Sequence, residues 1–204
     1  MKAHSFIYLI IYSCFIMSVS LQAQEHFADR YNVSYITMDD GLPHNFIDDI
    51  YKDTRGFLWI STAGGGLSRY DGYEFIHFNP NTPHSKLKSN CIHNVCEDRF
   101  HRLWIVSEGG TDIIDLSTLQ SVIPNDPKGL LPRFINHPTY IVILDSQGCI
   151  WLQCDNALHR ITFDAEGGID TLSTLDLPEQ DEPDLILKDI DEDGKIWTGI
   201  NGTI

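Results

Sequence analysis

Four tryptophans recur along this chain of 204 residues at intervals of about 45 residues. Each tryptophan is directly preceded by Leu or Ile, and an Asp stands six positions before it. The four pairs are Asp53–Trp59, Asp98–Trp104, Asp145–Trp151 and Asp191–Trp197. A repeat of this length is typical of propeller blades, each of which is a small antiparallel sheet. The sequence therefore predicts an all-β fold built from four related units.

The first unit has the pattern of a four-stranded antiparallel blade. An Asp at the start of a turn accepts backbone N–H bonds, and a Gly near its end tolerates a positive φ. The segment around Trp59 is apolar on both strand faces, so we expect it to be buried between neighbouring blades. The four predicted strands are 47–52, 57–60, 67–70 and 73–78.

The repeat divides the chain into predicted segments. Residues 1–23 are predicted to be a signal peptide, and residues 24–204 an incomplete ring of about three and a half blades. The predicted blades are approximately 42–78, 87–123, 135–177 and 184–204, with a stray outer strand at 31–37. Because the fourth unit ends soon after its tryptophan, we expect the chain to be a truncated part of a larger propeller.

The N-terminal segment predicts export. Lys2 gives a positive start, residues 6–19 are apolar and uncharged, and Ala23 offers a small residue at a cleavage site. The alternative is an uncleaved membrane anchor, for which the apolar stretch is short. In both cases we expect the rest of the chain to lie in the periplasm or another extracytoplasmic space.

The charge of the chain restricts its partners. The formal net charge is −15, and the sequence contains no basic run that reverses it locally. Such a surface repels phosphate backbones and anionic lipids. The sequence therefore predicts no nucleic-acid partner and favours a neutral ligand or a protein.

Four cysteines follow the predicted signal peptide: Cys91, Cys96, Cys149 and Cys154. An oxidising compartment permits disulfides. However, Cys149 and Cys154 would point to opposite faces of one predicted strand, which disfavours a bridge between them. We interpret the four as small buried apolar side chains. The alternative is a bridge between adjacent blades, for example from Cys96.

The stretch from Asp40 to Asp71 resembles the two-component regulator propeller repeat, with Ser61 in place of the usual Gly. It has the pattern L-x-x-N, then D-x-x-G-x-L-W-I, and finally G-L-x-R-Y-D. The resemblance extends over about residues 31–204, although the second and third units depart from the pattern after their tryptophans. It implies the sensor region of a hybrid two-component system sensor histidine kinase. Such a sensor detects oligosaccharides outside the cytoplasm, and its partners are the remaining blades and a homodimer partner.

Motifs for chemistry are weak in this sequence. Residues 64–66 are three glycines, but no Lys-Ser or Lys-Thr follows them, as a phosphate-binding loop requires. Residues 189–194 match the start of a calcium-binding EF-hand loop, but Ile200 stands where the loop needs a Glu. We therefore predict no enzyme activity, no metal and no cofactor. The alternative functions are the propeller of a secreted polysaccharide-active enzyme and a structural protein-interaction propeller.

Two repeat-related polar pairs are the candidate ligand-binding residues. Propellers usually bind ligands over one end of the central channel, where the loops that lead into the blades converge. His44 and Asn45 stand in this place in the first unit, and Ser89 and Asn90 in the second. Their polar groups suit sugar hydroxyls. The alternative is that they satisfy backbone groups of local turns.

We expect the chain without its first 23 residues to self-associate or to be poorly soluble. Repeat arrays derive stability from contacts between neighbouring units, and losing one such contact costs several kcal/mol at about 25 cal/mol per Å² of apolar surface. The fourth unit has only its two inner strands, with the apolar residues Leu185, Ile186, Leu187, Ile196 and Trp197. Light scattering and calorimetry measure the outcome. A monodisperse monomer with cooperative unfolding would contradict this expectation.

Overall fold

The computed structural model describes residues 34–83, 86–177 and 185–200. The chain divides into two compact units, 1–36 and 37–204, and all the strands described below belong to the second. The predicted signal peptide lies outside the described residues. No helix among the described residues is long and apolar enough to cross a membrane.

The described residues form four antiparallel sheets. Sheet 1 contains β1 (Ile47–Lys52), β2 (Leu58–Thr62), β3 (Gly66–Tyr70) and β4 (Phe75–Phe78). Sheet 2 contains β5 (Ile92–Glu97), β6 (Arg102–Ser107) and β7 (Gly110–Asp115). Sheet 3 contains β8 (Thr139–Leu144), β9 (Ile150–Cys154), β10 (Ala157–Phe163) and β11 (Ile169–Asp176). Sheet 4 contains β12 (Leu185–Ile190) and β13 (Ile196–Ile200).

Each sheet is a simple meander, because its strands are hydrogen-bonded in chain order. The tryptophans occupy β2, β6, β9 and β13, the second strand of each sheet. The four repeats thus fold into equivalent units of an open, partial propeller. This confirms the predicted all-β class and the equivalence of the four tryptophan strands.

Sheet 2 differs from the predicted four-stranded blade. It has three strands, and where the fourth strand would pair with β7 there is only a single bridge between Ile114 and Ser121. The chain reaches Ser121 through Leu119, whose φ is 58°, and continues into Pro124 and Pro127. Proline has no N–H to donate to a strand ladder, so the outer strand cannot extend. The segment instead leads to the short helix α1 (Pro132–Ile135).

The stray outer strand predicted at 31–37 is absent from the part of it that the structure describes. Residues 34–37 have no strand conformation, and residues 31–33 lie outside the described residues. Thr37 instead caps a 3-10 turn, Met38–Asp40, in which the Asp40 carboxylate accepts the Thr37 N–H at 2.8 Å. The capping bond uses the N–H that a strand ladder would need.

One turn connects the first two strands of every sheet. In sheet 1, Asp53 Oδ1 accepts the backbone N–H groups of Arg55 and Phe57 at 3.0 and 2.9 Å. Asp53 Oδ2 accepts the indole Nε1–H of Trp59 at 2.9 Å. The same three bonds are made by Asp98, Asp145 and Asp191. The repeated Asp therefore ties its turn to the tryptophan of the following strand.

In sheet 3 these bonds also affect the charge of the turn aspartate, Asp145. Burial alone would raise the pKa of Asp145, but hydrogen bonds from Trp151 and from the Cys149 N–H outweigh it, and the pKa lies below its usual value. The carboxylate is thus held in the form that accepts all three bonds.

The residue three positions before each tryptophan has a left-handed backbone. Gly56, Gly148 and Gly194 take this conformation freely, and His101 takes it with φ of 59°. A side chain in this region is unusual. His101 Nδ1 lies 2.8 Å from the buried carboxylate of Glu97, and this contact helps to hold the exceptional residue in place.

The core lies between successive sheets. Trp59 packs in a cluster with Ile92 and Val95 of sheet 2. Trp104 packs in the same way with Val142 and Leu152 of sheet 3. Because each sheet covers the tryptophan of the sheet before it, most apolar burial depends on the neighbouring repeat.

Burial of the tryptophans decreases along the chain for this reason. Trp59 and Trp104 are 0% exposed and Trp151 is half-buried, whereas Trp197 is 58% exposed. Among the described residues, no further sheet follows sheet 4. Trp197 nevertheless keeps its bond to Asp191 at 3.2 Å. The Asp–Trp bond is therefore local to each repeat, while burial of the ring is not.

The four cysteines that the structure describes are free thiols. Cys96 and Cys154 lie in the cluster between sheets 2 and 3. Burial raises the pKa of Cys96 to about 12, so this thiol stays protonated. Cys96, Cys149 and Cys154 are buried, as the interpretation of small apolar side chains requires, whereas Cys91 is only half-buried.

Replacing Asp53 by Ala should destabilise the protein more than the same change at Asp191. Both residues accept three equivalent N–H groups, each within its own sheet. However, Asp53 is 4% exposed and its partner Trp59 is fully buried. We expect Asp53→Ala to lower the free energy of unfolding by about 3 kcal/mol, because a buried donor left without a partner costs about 1–3 kcal/mol. Around Asp191 water can replace the carboxylate, so we expect a loss of about 1 kcal/mol.

Urea unfolding of the two variants measures this difference. Equal losses would show that burial of the ring does not determine the contribution of the turn.

Candidate ligand-binding cavity

The first strand of each sheet is its innermost strand, and these are β1, β5, β8 and β12. Each of these innermost strands carries a β-bulge. In sheet 1, Ile47 pairs with Thr62 and Asp49 with Ser61, so Asp48 is an extra residue without a partner across the ladder. Sheets 2 and 3 have the same bulge at His93 and Tyr140. In sheet 4 the bulge comes later, at Lys188. Because a bulge bends its strand, it changes the direction of the side chain it carries.

A cavity of about 830 Å³ lies along these strands. Its walls come from the innermost strands of all four sheets, from β9 and from the turn between β9 and β10. The lining residues are Asp48, His93, Tyr140, Ile141, Gln153, Asp155, Asn156, Ile186 and Lys188. The volume lies within the range of small-molecule binding sites, about 300–1,000 Å³.

The lining combines ring faces with charged groups. The rings of His93 and Tyr140 lie 5.5 Å apart between centroids, and Tyr140 is 44% exposed. The Nε2 atom of His93 is buried and has no hydrogen-bond partner among the described residues. Asp48 and Asp155 supply carboxylates and Lys188 supplies an ammonium group. This arrangement is suited to a polar ligand that has one apolar face.

Hydrogen bonds between adjacent sheets hold the walls in register. Asn94, the residue after the bulge of sheet 2, donates from Nδ2 to Asp49 Oδ2 at 2.8 Å. Its Oδ1 accepts the backbone N–H of Val142 in sheet 3, also at 2.8 Å. In sheet 3, Gln153 Oε1 accepts the N–H of Leu187 in sheet 4 at 2.8 Å. The cavity is therefore built on a chain of contacts that crosses all four sheets.

The residues that the sequence predicted for ligand binding lie directly before β1 and β5. His44 Nδ1 accepts the Phe46 N–H, and Asn45 Oδ1 accepts the Met38 N–H. Ser89 Oγ accepts the Cys91 N–H at 3.0 Å. The backbone oxygen of Asn90 accepts the N–H groups of Gly64 and Gly66. Three of the four thus bond to backbone groups nearby in the chain, whereas Asn90 joins its loop to the turn between β2 and β3 of sheet 1. None of the four lines the cavity. Their role in ligand binding stays a prediction.

The cavity residues do follow a signal in the sequence. Asp48, His93, Tyr140 and Ile186 each stand eleven positions before a tryptophan, as the second residue of an innermost strand. The side chains at this place are a carboxylate, an imidazole, a phenol and an alkyl group. A search for the same polar residue in successive repeats therefore misses them.

The EF-hand-like segment 189–194 serves as the turn of sheet 4. Asp191 Oδ1 accepts the N–H groups of Asp193 and Lys195, and Oδ2 accepts the Trp197 indole N–H. Within the described part of the chain, no group of three or more His, Cys, Asp or Glu side chains is placed to hold a metal ion.

Comparison with known proteins identifies the repeat. The sequence model of the two component regulator propeller family matches residues 41–64, which include β1, the Asp53 turn and β2. The predicted family is thereby confirmed. The other three sheets share the Asp–Trp bond and the strand order of this segment. No curated protein matches the chain.

Solved structures with the same fold include regulator extracellular domains. Two structures of the extracellular domain of BT4673 from B. thetaiotaomicron, described once as a one component and once as a hybrid two component system, share 25% identity with this chain. They cover 78% of it, with TM-scores of 0.55 and 0.53. The extracellular domain of the hybrid two component system BT3049 from the same organism covers 82% at 20% identity, with a TM-score of 0.56.

The chain spans 22% of the BT4673 domain and 29% of the BT3049 domain. Streptogramin B lyase is also similar, at 16% identity over 79% of this chain and 50% of the lyase, with a TM-score of 0.51. At their levels of identity, BT3049 and the lyase show the fold alone.

Replacing Asn94 by Ala should weaken the contacts that hold the cavity walls. The change leaves the Val142 N–H without its acceptor and removes one of the two donors to Asp49 Oδ2, whose other donor is the Val95 N–H. We expect a loss of about 2–3 kcal/mol in the free energy of unfolding. The control is Asn81→Ala, in an exposed turn, for which we expect a change within about 0.5 kcal/mol. Urea unfolding compares them, and similar values for the two variants would contradict the structural role of Asn94.

Proposed function

We propose that this chain is part of the extracytoplasmic sensor propeller of a two-component signalling system, and that its cavity binds an oligosaccharide. The observation that carries the proposal is the cavity itself, which four regulator propeller units build together. The likeness to extracellular domains of two component systems supports the sensor role. On this proposal the N-terminal segment exports the chain, so that the cavity faces the space where such ligands occur.

The lining suits a saccharide. Carboxylates at Asp48 and Asp155 accept hydrogen bonds from sugar hydroxyls, and the ammonium group of Lys188 donates to them. The exposed ring of Tyr140 offers a flat surface for the C–H face of a sugar ring. The two carboxylates outnumber the single ammonium group, which favours an uncharged saccharide over an acidic one.

The position of the cavity explains how binding can act as a signal. A ligand in the cavity touches all four sheets, so it stabilises the relative arrangement in which the walls are complete. In a larger receptor this arrangement is passed on to the remaining blades, to a homodimer partner and to a histidine kinase. On this proposal the chain itself binds and does not catalyse.

Replacing Tyr140 by Ala should weaken saccharide binding at least tenfold, which corresponds to about 1.4 kcal/mol, because the ring surface for stacking is lost. Isothermal titration calorimetry of the purified protein with neutral trisaccharides measures the effect. The control is Tyr73→Ala, since Tyr73 is 92% exposed and lies outside the cavity. We expect this variant to bind like the wild type.

Other results would redirect the proposal. Failure of the wild type to bind any of a broad panel of neutral oligosaccharides would refute the saccharide ligand. Conversion of a bound oligosaccharide to shorter products, detected by chromatography, would favour a polysaccharide-active enzyme instead.

In the same titration, Asn45→Ala and Ser89→Ala test the residues before β1 and β5. Unchanged affinity would restrict those residues to their turns.

A further inference from the structure

We infer that the second residue of each innermost strand is the position at which a propeller unit determines ligand specificity. This inference rests on the proposed function and names the residues that discriminate between saccharides. In this chain the positions are Asp48, His93, Tyr140 and Ile186.

The first argument is geometric. All four residues line the same cavity, although they come from four different sheets. In sheets 1 to 3 each is the extra residue of a bulge at the same place in the ladder. A bulged residue is excluded from the regular pairing of side chains, and bulges are common beside binding sites. Three repeats therefore use one backbone device to present one side chain each.

The second argument is the division of labour between adjacent residues. The residues after the bulges of sheets 1 and 2, Asp49 and Asn94, join neighbouring sheets through short hydrogen bonds. Within the described part of the chain, by contrast, the carboxylate of Asp48 and the hydroxyl of Tyr140 make no hydrogen bond. The bulge separates a position required for assembly from one that is free to bind a ligand.

The third argument is chemical. Every unit has the same turn Asp, an aliphatic residue and a tryptophan at equivalent positions. The bulged residue differs between units, from a carboxylate to an imidazole to a phenol. Among the described lining residues, His93 is the one with a buried side-chain nitrogen, Nε2, that lacks a hydrogen-bond partner, and a ligand group could supply that partner. An uncharged saccharide supplies a hydroxyl for it and for the Asp48 carboxylate. A site that bonds a particular hydroxyl discriminates against a saccharide in which that hydroxyl is displaced.

The test compares binding profiles. Dissociation constants for cellotriose, maltotriose, xylotriose and mannotriose are measured by calorimetry for the wild type, Asp48→Asn and His93→Gln. The matched controls are Asp39→Asn and His137→Gln, at exposed positions outside the cavity. We expect each bulge variant to change the ratio of two dissociation constants at least tenfold. We expect the controls to keep these ratios within about twofold, and all four variants to keep the melting temperature of the wild type.

The possible failures are distinguishable. If the wild type binds and the bulge variants retain its ratios, the specificity role is wrong and the proposed function stands. If the ratios change only in variants that also lose melting temperature, the positions are structural and the inference is likewise overturned. If the wild type binds none of these saccharides or of a broader neutral panel, the proposed function fails and the inference with it.

Discussion

The structure depends on one interaction, the bond between a turn aspartate and the tryptophan six residues later. One carboxylate oxygen accepts two backbone N–H groups and fixes the turn, and the other accepts the indole N–H and fixes the ring. The bond thus sets the register between the first two strands of each sheet. With the rings placed in the same way in every unit, successive sheets pack by the same contacts. A bond that is repeated within each unit thus leads to the same interface between each pair of neighbouring sheets.

The interface has two levels of stability. The Asp–Trp bond forms within one repeat and persists even at Asp191, where the ring is 58% exposed. Burial of the ring requires the next sheet, as at Trp59 and Trp104. Local order is therefore present in each unit, but most of the hydrophobic stabilisation is shared between units. This is the energetic pattern of a repeat protein.

The same architecture produces the cavity. Stacked sheets bring their innermost strands together. In sheets 1 to 3 a bulge redirects one side chain of the innermost strand (β1, β5 and β8). In sheets 1 and 2 the residues after the bulges, Asp49 and Asn94, join the sheets, while the bulged residues line the cavity. Contacts between sheets and the cavity lining thus fall on adjacent residues of the same strand. On the proposed function, changing a few of the bulged side chains would change the ligand.

The sequence by itself determined the β class, the repeat and the four equivalent strands, because the Asp–Trp pair and the turn glycine act within one unit. It left the state of the cysteines open between buried thiols and a bridge between blades, and the structure shows free thiols at the four that it describes. The predicted fourth strand of sheet 2 was wrong, because prolines after the turn limit this outer strand to one bridge at Ser121. Only the tertiary structure decided that Asp48, His93, Tyr140 and Ile186 share a cavity. It also decided that His44, Asn45, Ser89 and Asn90 bond to backbone groups outside this cavity. The physical reason is that a bulge depends on how two strands pair, and a cavity on how four sheets stack. The spacing of eleven residues to each tryptophan marks equivalent positions, but it does not show that these positions are bulged or that they meet.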